Sequence, residues 1–177
     1  MAEESSIGVT IVGKCLYLKP VGFATQDNCL GIPCFLKAMF RQGCTRVAFD
    51  LEECKGMDST FLGIIADAAT NLPRHQKTPV VIFNADEQNM KELRTVGLLS
   101  LVEVVEKPME PPSEFEFEDV NFMHFPRTEE ERIKEVMRLH ETLCELNEHN
   151  RQKFGSFISM LETELQQAGE HEKTPTG

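Results

Sequence analysis

Between Thr45 and Val105 the apolar residues switch repeatedly between two periods, and that alternation constrains the fold more than any other feature. Thr45-Arg-Val-Ala-Phe-Asp-Leu51 sets Val47, Phe49 and Leu51 on one face of a strand. Ser59 to about Leu72 reads as an apolar helix ended by Pro73. Pro79-Val-Val-Ile-Phe-Asn84 is an unbroken apolar run, the pattern of a strand covered on both faces. Asp86 to about Val96 reads as a second helix, stopped by Gly97, and Leu101 to Val105 as a further strand. Strand, helix, strand, helix, strand with short loops requires two right-handed crossovers in a parallel sheet.

The preceding residues add a hairpin. Ile7–Val12 and Cys15–Lys19 read as strands joined through Gly13-Lys14, with Pro20 and Gly22 ending the second. A helical pattern runs from Ala24 to about Gln42 and becomes firm after Pro33. The expected fold class is therefore α/β: a small mixed sheet, initial hairpin plus parallel strands, with helices packed on it, filling residues 1–107. Pro108, Pro111 and Pro112 mark a boundary. Residues 108–127 form an acidic Pro/Phe-rich stretch, either a linker or an extended segment. Four phenylalanines between Phe115 and Phe125 favour docking on the domain or on a partner. Thr128 and Glu131 form a capping box, and a long C-terminal helix is expected over 128–168. Forty residues at 1.5 Å each would run about 60 Å. The helix should therefore break, with Gly155-Ser156 the favoured point, or reach a second copy of the chain as a homo-oligomer contact. His140, Asn147 and Asn150 give it a polar seam. Residues 169–177 read as a disordered tail.

Charge and cysteine usage exclude several functions. The net charge of −11 is uneven: 11 basic against 13 acidic residues up to Lys107, then 7 against 16. Neither part has the basic footprint of a direct nucleic-acid binder. No apolar run reaches membrane-spanning length and the N-terminus lacks a signal pattern, so a cytoplasmic protein without membrane contact is expected. Six scattered cysteines without a CxxC pair read as reduced thiols. His140 and Cys144 stand four apart, a spacing shared by helix packing and by metal pairs, packing being the commoner use. No nucleophile–base pair, metal cluster or phosphate-binding glycine loop stands out in the sequence. A non-enzymatic role with no cofactor and no metal is expected.

The stretch Met57-Asp58-Ser59-Thr60-Phe61-Leu62-Gly63 follows a strand and opens a helix. Three readings compete for it. Asp58 or Ser59 caps the helix; or Asp50 at the strand end accepts phosphate, which would need carboxylates that residues 15–22 lack; or Ser59 is itself the modified residue. The third reading comes from a resemblance. Val47-Ala-Phe-Asp-Leu51 followed by Met57-Asp-Ser-Thr-Phe-Leu-Gly63 resembles the signature of the STAS domain, the sulfate-transporter and anti-sigma-factor-antagonist family, over about residues 7–105. Phe61 stands where that family commonly has glycine. The resemblance implies a bacterial anti-sigma-factor antagonist that acts in transcription regulation by partner switching. Ser59 would be phosphorylated by a serine kinase that is also the anti-sigma factor and restored by a serine phosphatase. Met57, Asp58, Thr60 and Phe61 would form the partner contact. The alternative is a non-phosphorylated scaffold of the same fold, in which Phe61 obstructs the kinase and residues 128–168 mediate assembly.

Overall fold

The computed structural model describes residues 5–73, 78–105, 116–122, 126 and 128–171. Its first half is built from β1 (Ser6–Val12), β2 (Cys15–Ala24), α1 (Gln26–Cys29), α2 (Ile32–Arg41), β3 (Arg46–Asp50), β4 (Cys54–Met57) and α3 (Ser59–Asn71). Then come β5 (Val80–Phe83), α4 (Glu87–Thr95), β6 (Glu103–Val105), β7 (Glu118–Asp119), α5 (Glu129–Leu146) and α6 (Glu148–His171). The sheet order is β6-β5-β3-β2-β1-β7, with β4 paired to β2. β1 is antiparallel to β2, whereas β2, β3, β5 and β6 run parallel. This is the mixed α/β sheet with packed helices expected from the sequence.

Alternation decides which face each strand residue serves. Leu16, Leu18, Val47, Phe49, Val80 and Ile82 join the main core under the helices, and Ala48, Val81 and Phe83 cluster on the other side. All four residues of β5 are buried, as its unbroken apolar run requires.

Two local differences from the sequence reading shape the site. β2 does not stop at Pro20. It continues to Ala24, and at Gly22 (φ 75°) its register shifts so that Phe23 and Ala24 pair with Gly56 and Met57 of β4. Residues 52–58 read as a polar turn because only Cys54 and Met57 are apolar there. The ladder to β2 makes Cys54–Met57 a strand.

The C-terminal region is helical, and its break falls at Asn147, not at Gly155-Ser156. Asn147 is extended (φ −167°, ψ 166°) and ends α5. Its side-chain oxygen accepts from the Asn150 N–H at 2.9 Å, so the same residue caps the start of α6. Gly155 and Ser156 lie inside α6. Helix continues to His171, past the expected end at 168; residues 172–177 lie outside the described set. The two helices form a hairpin along α3, burying Ile133, Val136, Leu139 and Leu143 of α5 and Phe154 and Leu161 of α6. Asn147 and Asn150 both donate to the Val96 carbonyl at the end of α4, at 3.2 and 3.0 Å, and Asn150 also reaches the Leu143 carbonyl at 2.8 Å. The polar seam of the sequence is therefore an intramolecular clamp. Asn150 is fully buried, so Asn150→Ala should cost about 2 kcal/mol by taking the amide donor from the Leu143 carbonyl and leaving Val96 with Asn147 alone. Urea unfolding measures it; a loss under ~0.5 kcal/mol would contradict the clamp.

In residues 116–122, β7 pairs with Gly8 and Val9 of β1, and Phe122 is buried against Phe35 at 5.4 Å between ring centroids. Phe115 and Phe125 lie outside the described residues. Among the described residues no helix is long and apolar enough to cross a membrane.

Candidate functional site

α3 begins where β4 ends. The Asp58 N–H donates to the Ala24 carbonyl at 3.0 Å, a contact that the β2–β4 ladder sets up. Its carboxylate then serves two helix starts. Oδ1 accepts from the Phe61 N–H at 2.9 Å, capping α3, and Oδ2 accepts from the Gln26 N–H at 2.8 Å, the first residue of α1. The capping role read from the sequence is thus real, and it belongs to Asp58. Ser59 is left as the first helical residue, half-buried, with its hydroxyl uncommitted to the cap.

The Ser59 hydroxyl meets His140 of α5. Oγ lies 2.8 Å from Nε2, and Nδ1 lies 2.7 Å from the Val136 carbonyl. A carbonyl only accepts, so Nδ1 carries the ring proton and Nε2 receives the Ser59 hydroxyl proton. The imidazole is 2% exposed, with Phe154 and Phe157 rings at 5.4 and 4.8 Å. Burial pulls its pKa below the ordinary histidine value, against the opposing pull of the Val136 carbonyl and the Asp58 charge. It is therefore neutral at pH 7, and folding stability from this group is present above pH 6.5 and lost as pH falls below it.

Sequence reading found no serine–imidazole pair because the partners are 81 residues apart. One signal pointed to a covering element. α3 is apolar on all sides, and a helix of that kind is buried all round. Thr60 to Ala69 are all buried, between the sheet and α5. Gly63 allows the close approach: a Cβ there would lie 2.8 Å from the Leu139 carbonyl oxygen. Asp67, the one charge in that run, is met by Arg138 at 2.6 Å. Cys144, paired with His140 in the metal reading, turns instead to the Asn150 carbonyl.

The expected partner contact needs correction. Thr60 is 3% exposed and Phe61 is fully buried, its ring edge-on to Phe49 at 5.8 Å. Both point into the core because the helix start turns them toward the sheet, so neither offers a surface. Phe61 also cannot obstruct a kinase from there. Met57 and Asp58 remain half-exposed. Phe23, 56% exposed, lies beside Gly56 on the neighbouring ladder. Ser59 and Met57 open onto a cleft of about 320 Å³ between α3, α4 and α6, with Gln88, Lys91 and Lys153 on its far walls.

Asp50 does not fit the phospho-acceptor reading. It is fully buried, accepts from the Glu52 N–H and the Asn84 amide at 3.1 and 3.0 Å, and faces Lys19 at 3.8 Å. Among the described residues no group of three or more His, Cys, Asp or Glu side chains is placed to hold a metal ion.

No family model and no curated protein matches the chain. Two solved structures are similar to part of it. One is the anti-sigma factor antagonist SpoIIAA in its unphosphorylated form, with 16% identity and a TM-score of 0.46, covering 58% of this chain and 90% of that one. The other is the Bacillus cell fate determinant SpoIIAA in the phosphorylated form, with 15% identity and a TM-score of 0.46, covering 58% and 93%. Superposition this loose transfers no residue role to this chain.

Proposed function

We propose that this chain is a regulatory interaction module, of the anti-sigma-factor-antagonist type, whose choice of partner is set by phosphorylation of Ser59. The observation that carries the reading is the division of labour at the α3 start. Asp58 takes the cap, and the neighbouring Ser59, half-buried with its hydroxyl on His140, lines a cleft. A helix N-terminus tolerates an added anion because its unpaired N–H groups and dipole favour negative charge. A phosphate at Ser59 adds about −1.5 to −2 charges at pH 7. It would repel a partner seated on Met57, Asp58 and Phe23, and a phosphatase would restore the contact. The partners implied are a serine kinase doubling as an anti-sigma factor and a serine phosphatase, with no catalysis by this chain.

The test is recovery of the full chain from its native cells, phosphosite mapping by mass spectrometry, and comparison of co-purifying proteins. Phosphate on Ser59, its disappearance in Ser59→Ala and loss of a partner in Ser59→Asp are the expected results. Unmodified Ser59 under all growth conditions, or a partner set indifferent to Ser59→Asp, would overturn the reading.

A further inference from the structure

We propose that the cleft between α4 and α6 is a receptor for a phosphoryl group carried on Ser59, with Lys91 and Lys153 as its charge partners. Modification would then fasten the α5–α6 hairpin to the domain instead of releasing it. The inference rests on Ser59 being the modified residue and concerns what the phosphate meets once it is there.

The side chains around Ser59 leave the phosphate one direction in which to find compensation. On the sheet side Thr60 and Phe61 are enclosed in the core. On the α5 side the His140 imidazole, flanked by two phenylalanine rings, closes the approach to Oγ. The remaining side is the cleft, whose roughly 320 Å³ exceed what a phosphoryl group and a few waters occupy, at about 30 Å³ per water.

Charge favours the same direction. The cleft lining carries two ammonium groups, Lys91 and Lys153, against one carboxylate, Glu92. Glu92 accepts from the Met57 N–H at 3.3 Å and the Gln88 amide at 2.9 Å, and among the described residues neither lysine has an acidic partner, Lys153 resting over the Phe154 ring at 5.2 Å. Lys91 projects from α4 and Lys153 from α6, so a phosphate held by both bridges two elements already clamped by Asn147 and Asn150 at Val96. The hairpin thereby supplies the site with a lysine that the sheet domain lacks.

The experiment installs phosphoserine at position 59 of the full chain during synthesis and follows the phosphate by ³¹P NMR over pH at low salt. Lys91 and Lys153 should move its second pKa from about 6 to about 5. The K91A/K153A variant, which removes two exposed side chains and leaves the core intact, should return it to about 6. Amide exchange in α5 and α6 should be no faster with phosphate than without. A parent value at or above 6, or exchange in the hairpin accelerated tenfold or more by the phosphate, would overturn the proposal. Because no kinase is used, this outcome is separate from that of the cellular test. Absence of Ser59 phosphorylation in native cells would sink the switch and leave the cleft measurement standing.

Discussion

Gly63→Val should unseat the C-terminal hairpin and give the largest loss of stability of any single substitution considered for this chain. Even the first added carbon would lie 2.8 Å from the Leu139 carbonyl oxygen and 2.9 Å from the Leu139 Cβ. The obstacle is backbone, so α5 must withdraw as a unit. Withdrawal pulls Leu139 and Val136 out of the core and breaks the His140 contact to Ser59. Overpacking of this kind costs about 1–3 kcal/mol, and the β-branched methyls push it to the upper end or beyond. At roughly 2–4 °C per kcal/mol for a chain of this size, the midpoint should fall by ~6–12 °C. Gly155→Ala is the internal control. It lies inside α6 with nothing within 4 Å of the added carbon, and should gain about 0.5–1 kcal/mol from helix propensity. If thermal unfolding gave the two substitutions the same sign, α5 would not be seated on α3 as described.

Arg138→Met should cost about 2 kcal/mol near neutral pH, because it strands the Asp67 carboxylate against the core. Asp67 has a side-chain exposure of 5% and depends on Arg138 at 2.6 Å and the Asn71 amide at 2.8 Å. Losing one partner of a fully enclosed pair costs about 3–5 kcal/mol. Here the Arg138 side chain is 33% exposed and is shared with Glu135, so solvent screening reduces the figure. In the parent, burial pushes the Asp67 pKa up, and the hydrogen bonds from Arg138 and Asn71 more than reverse that, holding it below 3.8. Its stabilisation is therefore present above pH 3.8 and lost as pH falls through the lower folded value. Without Arg138 the burial effect prevails and the folded pKa rises above the unfolded one. The native state of the variant then binds the extra proton, and the stability gap to the parent should narrow as pH falls from about 6 to about 4. D67N/R138M should recover most of the loss, since removing both charges leaves neither stranded. A gap that widened with acid would show that Asp67 does not rely on Arg138.

Both substitutions lie at one junction, and the junction bears on function. α5 is the third layer that completes the burial of α3, so the hairpin is part of the same core as the sheet. Its apolar face packs within the chain, on α3 and along α6. Met57 and Asp58 beside Ser59 stay half-exposed, Phe23 is exposed on the neighbouring ladder, and α6 helps to build the cleft.

Much of this was legible in the sequence because its causes are local. The period of Thr45–Leu51, the unbroken apolar run Val80–Phe83, the Pro73 and Gly97 stops and the Thr128–Glu131 capping box each act within a few residues. Chain geometry then leaves few ways to connect them. Asp58 as a helix cap and Ser59 as the hydroxyl beside it were visible for the same reason. What the sequence withheld depends on pairings across long separations. Cys54–Met57 became a strand only through its ladder to Phe23 and Ala24, and Asn147 ended α5 with its amide reaching Val96. Thr60 and Phe61 were assigned to the surface by their place in a motif and moved to the core by packing against Phe49 and its neighbours. The residue that meets Ser59 lies 81 positions away on a helix whose own periodicity gives no hint of it. Short-range sterics and hydrogen bonding determined the sheet and the start of α3. Only burial against α5, a collective property of the folded chain, decided that Ser59 is held by a histidine beneath a hairpin.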